Sequence, residues 1–98
     1  AKALEAAGCF AIVFEKIPAE LAKRVSEELT IPTIGIGAGP HMTGQVLVTH
    51  DMIGFNSGYL PSFVRQYSDV RTTIRDAAVA YRKSIETGNF PTDQESFR

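Results

Sequence analysis

The sequence predicts an α/β fold, with three parallel strands and terminal helices forming the C-terminal part of a (β/α)8 TIM barrel. Three observations predict it. Apolar runs of strand length are interleaved with a helical pattern, the signature of βαβ units. The first run, Phe10-Ala11-Ile12-Val13-Phe14, is continuously apolar, as strands covered on both faces are. Finally, three such strands do not close a core, because their edges leave backbone groups unpaired. A complete barrel takes roughly 250 residues, and this chain has 98. Residues 1–98 are therefore expected to be the C-terminal portion of one barrel domain whose N-terminal strands lie outside this sequence.

The elements follow in order. Ala1 to Ala7 reads as the last turns of a helix stopped by Gly8. It has neither an initiator Met nor an N-cap, so a preceding segment is expected, a processed small protein being the alternative. Glu15 and Lys16 end the first strand, and Pro18 suits the first position of a helix. Leu21, Val25 and Leu29 mark that helix's apolar stripe. Glu20/Arg24, Lys23/Glu27 and Arg24/Glu28 are spaced to pair on its wet sides. Thr30-Ile31-Pro32 stops it, and Thr33-Ile34-Gly35-Ile36 reads as the second strand, completing a βαβ unit.

A third apolar run, Val46-Leu47-Val48-Thr49, reads as the third strand. Only Gly37 to Gln45 precedes it, which is short for a parallel crossover. Either the pair is a hairpin, or a helical stub near His41 to Gly44 makes the crossover. Asp51 to Gly58 reads as a loop, and Pro61 to Tyr67 as a short helix. Asp69 should cap a longer helix carrying Val70, Ile74, Ala77, Ala78, Tyr81 and Ile85 on one stripe, with Gly88 as its stop. The tail from Pro91 to Arg98 is polar and expected to be loosely held.

Composition narrows the function. The net charge is −1 and the ten Lys and Arg are scattered, which argues against nucleic-acid and membrane-surface roles. No apolar run approaches the ~18 residues of a membrane span, and no signal-peptide layout is present. Cys9 is the sole cysteine, so no internal disulfide can form, which suits a cytoplasmic setting. Without an activating partner it reads as a small apolar residue.

Several residues could carry chemistry. Glu15 stands where the first strand ends, and parallel α/β folds build their sites at that end. Alternation places Ala11, Val13 and Glu15 on one face, with Glu15 an acid or base at the inner rim. A solvated glutamate near a helix N-terminus is the other reading. Gly35-Ile36-Gly37-Ala38-Gly39 could cradle a phosphate, but tight turns and close packing explain it better. His50 and Asp51 end the third run, Asp51 as a turn cap and His50 as a structural or general-base histidine. His41 reads as surface, and neither histidine has a partner at metal-ligand spacing.

Three segments in order, Phe14-Glu15-Lys16-Ile17-Pro18-Ala19-Glu20-Leu21-Ala22, Ile31 to Gly39, and Gly44-Gln45-Val46-Leu47-Val48-Thr49-His50-Asp51, resemble the C-terminal part of the ketopantoate hydroxymethyltransferase family. The likeness runs on to Phe90-Pro91 and Glu95-Ser96-Phe97. It implies a barrel of the phosphoenolpyruvate/pyruvate type, usually a homodecamer, with a degenerate barrel helix before Val46. It implies transfer of a hydroxymethyl group from 5,10-methylenetetrahydrofolate to 3-methyl-2-oxobutanoate, giving 2-dehydropantoate. Mg2+ would chelate the keto acid, held by ligands on strands outside this sequence. Glu15 matches the family's proposed catalytic base, and Ile36, Val46 and Val48 match positions lining the apolar side of the keto-acid pocket. The 98 residues alone are then expected to be inactive. The rivals are another barrel using Gly37 to Gly39 for a phosphorylated substrate, and a non-catalytic segment whose helices over 61–88 mediate assembly.

Overall fold

The computed structural model describes residues 1–98. Its centre is a sheet of three parallel strands in the order β1-β2-β3. Helix α1 (Lys2–Ala6) ends at Ala7 and Gly8, where its stop was expected. Strand β1 (Ile12–Glu15) is shorter than the apolar run that predicts it. Strand β2 (Thr33–Ile36) has the predicted bounds, and its four residues pair Ile12 with Thr33 through Glu15 with Ile36. A ladder extends only as far as both partners do, so Phe10 falls outside it and lies exposed.

Helix α2 (Ala19–Glu28) covers one face of the sheet. Pro18 is its N-cap rather than its first helical residue, with φ −53° and ψ 133°. Pro18 keeps an extended ψ while its carbonyl accepts the Ala22 N–H. Of the predicted stripe, Val25 and Leu29 pack into the core, and only Leu21 does not. Ala22 is fully buried against Phe14, Leu29 and Ala38, while Leu21 is half exposed. The predicted pairs within α2 do not close as ion pairs. Glu28 instead reaches Lys2 at 2.9 Å and ties α2 to α1. The Lys2 hydrogen bond holds the Glu28 carboxyl below the usual carboxylate range.

Below β2 the polar groups are locally satisfied. Thr33 is fully buried, and its hydroxyl lies 2.6 Å from that of Ser26. Thr33 and Thr43 exchange backbone-to-hydroxyl bonds of 3.1 and 3.2 Å. Glu5 accepts from the backbone N–H groups of Thr30 and Ile31 and from the Thr30 hydroxyl. That hydroxyl, and then the N–H donors, lower the Glu5 pKa.

The third strand corrects the sequence reading. Strand β3 is Gly44–Gln45, two residues, pairing parallel with Ile34 and Gly35. Val46 still donates to the Gly35 carbonyl at 3.0 Å, but Leu47 and Val48 leave the ladder. Thr49 opens a short helix, α3 (Thr49–Met52), instead of closing a strand. The crossover is parallel, yet residues 37–43 contain no helical stub and no degenerate helix. The link stays short because Gly37 and Gly39 adopt φ of +67° and +81°, which bend the chain sharply, and the Thr33–Thr43 bonds pull it back.

Pro61 to Tyr67 is likewise not a helix. A single turn closes there, from Val64 N–H to the Pro61 carbonyl. Tyr67 and Val70 instead donate to Met52 and Ile53, so the backbone bonds go back to the α3 end. Helix α4 (Val70–Glu86) starts at Asp69, whose carboxylate accepts from the Thr72 N–H at 3.2 Å, and it stops before Gly88. None of its residues is buried. In the tail, Asp93–Glu95 forms a 3-10 turn in which Thr92 and Glu95 cap one another, more order than polarity predicts.

Candidate functional site

Glu15 is the last residue of β1, and its Cα partner is Ile36, the last residue of β2. Cross-strand partners in a parallel ladder project to the same face. Phe14, one residue earlier, is buried under α2, so Glu15 and Ile36 share the opposite, uncovered face at the C-terminal edge of the sheet. Val13 shares that face and is 59% exposed. The expected alternation therefore holds over β1, except at Ala11, which precedes the strand.

Two of the three expected substrate-lining residues come together. Ile36 and Val46 line one cleft of about 300 Å³ with Phe63, Arg65 and Tyr67. The Arg65 guanidinium lies 6.0 Å from the Tyr67 ring centroid. Val48 does not line this cleft and is half exposed. The expectation of Val46 and Val48 facing inward together rested on a strand through Val48, and the chain leaves the ladder first. Glu15 lines a separate apolar groove of about 410 Å³ with Val13, Ile17, Leu21 and Val25. Ile36 is thus the residue connecting the carboxylate to the cleft.

The glycines of the second segment are used for packing. A Cβ on Gly35 would meet the Met42 side chain at 2.7 Å, and one on Gly37 would meet the Phe63 ring at 2.8 Å. One on Gly39 would meet the Ala19 Cβ at 2.5 Å. The Gly39 carbonyl accepts from the Gln45 side-chain amide at 2.9 Å. No helix follows Gly39 to aim its N-terminus at a phosphate, so the packing reading of this loop is the one its geometry supports.

His50 and Asp51 also have local duties. The His50 ring meets Phe55 edge-on at 5.1 Å, and its carbonyl accepts the Phe55 N–H. Asp51 lies within α3 and accepts from the Asn56 amide at 2.9 Å, so it does not cap that turn. No three His, Cys, Asp or Glu side chains lie close enough together to hold a metal ion.

The sequence reading missed Lys16 and the segment Tyr59 to Phe63. Lys16 is the one non-glycine residue with left-handed backbone, φ 52°. The available signal was the long stretch between the helices over 49–52 and 70–86, which lacks a strong element of its own.

A family comparison decides what kind of protein this is. The ketopantoate hydroxymethyltransferase model matches residues 1–93. The chain belongs to that family. A 3-methyl-2-oxobutanoate hydroxymethyltransferase of Bacteroides thetaiotaomicron is 55% identical over 94 residues, covering 96% of this chain and 34% of the relative. One of Geobacter sulfurreducens is 54% identical over 97 residues, covering 99% of this chain and 36% of the relative. The Rhodopirellula baltica protein of the same name is 50% identical over 97 residues, with the same two shares. This family member therefore spans about a third of the length of the curated relatives it matches. No helix in it is long and apolar enough to cross a membrane.

Proposed function

We propose that residues 1–98 supply the C-terminal portion of a (β/α)8 barrel of the phosphoenolpyruvate/pyruvate type. The barrel transfers a hydroxymethyl group from 5,10-methylenetetrahydrofolate to 3-methyl-2-oxobutanoate, giving 2-dehydropantoate for pantothenate synthesis. The observation that carries this reading is the pairing of Glu15 with Ile36 at the ends of parallel strands, beside the cleft shared by Ile36 and Val46. The relatives, 3-methyl-2-oxobutanoate hydroxymethyltransferases, supply the substrate and the group transferred.

In this reading the isopropyl group of the keto acid rests on Ile36 and Val46. Glu15 takes the proton from the carbon next to the ketone. Water cleaves the two C–N bonds that hold the one-carbon unit, its two protons going to the folate nitrogens and its oxygen to the released formaldehyde. The keto-acid carbon adds to that formaldehyde carbon, and the proton held by Glu15 returns to the new hydroxyl oxygen. Mg2+ belongs to the family's chemistry, with its ligands expected on strands outside these residues. The working form is a cytoplasmic homo-oligomer, a decamer by family likeness, and the 98 residues alone are inactive.

The test uses the complete barrel enzyme and Glu15→Gln. Proton exchange at the keto-acid carbon, followed in D2O without folate, should fall ~100-fold or more, the usual contribution of a positioned base. Unchanged exchange in a folded Glu15→Gln enzyme would remove Glu15 from the reaction.

A further inference from the structure

The cleft assigned to the keto acid has a neighbour on the far side of Phe63. Lys16, Ile17 and Pro18, just after β1, form one wall, and Tyr59, Ser62 and Phe63 form the other. Gly37 lies between the two clefts and lines both, as Phe63 does. The Phe63 ring is seated on the space a Gly37 side chain would fill, so this ring is a fixed partition. The second cleft measures about 490 Å³, within the usual range of small-molecule sites, roughly 300–1,000 Å³.

Its lining has a definite chemical character. It offers two aromatic rings, and Tyr59 is 89% exposed, with no protein partner across its face. Its only charged residue is the cation Lys16. That residue holds the left-handed backbone noted above while its N–H donates to the Ile36 carbonyl at 3.0 Å. A lysine gains nothing from that conformation, and residues held in such conformations cluster at functional sites.

We propose that this second cleft receives the one-carbon donor, a planar heteroaromatic ring carrying a carboxylate tail. The ring stacks against Tyr59 and Phe63, and the Lys16 ammonium meets the carboxylate. Lys16 immediately follows Glu15, so the donor cleft begins one residue beyond the base. The proposal rests on the hydroxymethyl-transfer reading above and adds where the second substrate sits.

The experiment separates the two readings in the complete enzyme. Exchange of the keto-acid proton in D2O, without folate, compared between wild type and Glu15→Gln, tests the Glu15 reading alone. Steady-state turnover then compares Tyr59→Ala and Lys16→Met with wild type, using two donors: methylenetetrahydrofolate, and a methylenetetrahydropterin lacking the glutamyl tail. Tyr59→Ala should raise KM about tenfold for both donors, leaving KM for the keto acid unchanged. Lys16→Met should raise KM about tenfold for the folate only. A rise in the keto-acid KM, or donor KM values untouched in both variants, overturns the donor cleft even where the exchange assay supports Glu15. Lys16→Met affecting both donors equally overturns the carboxylate contact.

Discussion

The sheet region and the long terminal helix are stabilised in opposite ways. In residues 1–48, Phe14, Ala22, Leu29 and Ala38 bury one another, with Ile12, Val25 and Met42 packed around them. In α4 no residue is buried, and Ile74, Tyr81 and Ile85 are about half exposed. What holds α4 is local: the Asp69 cap, i,i+4 bonds from Ser84 and Thr87, and the edge contact of Tyr81 with Phe90. The chain is 69 Å in its longest dimension and 16 Å in its shortest. Amphipathic patterning alone does not bury a helix. It specifies which face is ready for another surface, and tertiary packing supplies most helical stability.

The largest expected effect breaks this contrast directly. In the 98-residue chain, Phe14→Ala should cost about 3–5 kcal/mol, the range for emptying a core aromatic site. Ile74→Ala should cost under about 1 kcal/mol, because little area leaves water. Urea denaturation followed by circular dichroism measures both, and equal losses would show that α4 is as well packed as the sheet. A smaller effect belongs to the cap. Asp69→Ala should remove about 1 kcal/mol, seen as faster amide exchange over the first turns of α4 and no change in β1 or β2.

The smallest effect concerns pH. Glu5 and Glu28 are held below the ordinary carboxylate pKa of 4.5 by bonds to Thr30 and to Lys2. A depressed folded pKa adds stability that is present above the unfolded value. That stability is lost as pH falls through the folded value. The sheet region should therefore weaken below about pH 4.5, and Glu5→Gln should flatten part of that slope. Thermal unfolding from pH 7 to pH 3 reads it, and an identical slope in Glu5→Gln would remove this contribution.

Much of the architecture was legible because it is set over a few residues. Thr33–Ile36 was found with its bounds, since Pro32 precedes it and Gly37 follows. The start and stop of α4 follow from Asp69 and Gly88. The position of Glu15 at a strand end was likewise readable, and so was its face. The errors share a cause. Val46-Leu47-Val48 was read as a strand because it is apolar, but a strand is defined by backbone partners, and β2 supplies them to Gly44 and Gln45. In the predicted stripe of Leu21, Val25 and Leu29, only Leu21 gives way, because Ala22, small enough for the sheet to approach, became the point of contact.

The sequence by itself determined the Asp69 cap, the glycine turns, the parallel βαβ order and the placement of Glu15. Each depends on local sterics or on hydrogen bonds within a few residues. Only the tertiary structure decided that Ile36 shares a cleft with Val46 but not Val48, and that Phe63 rests on Gly37. It also set Lys16 opposite Tyr59 across a second cleft. These contacts join residues far apart in the chain. Their formation depends on the shape left when the sheet, the glycine link and the returning loop pack together, which no local pattern encodes.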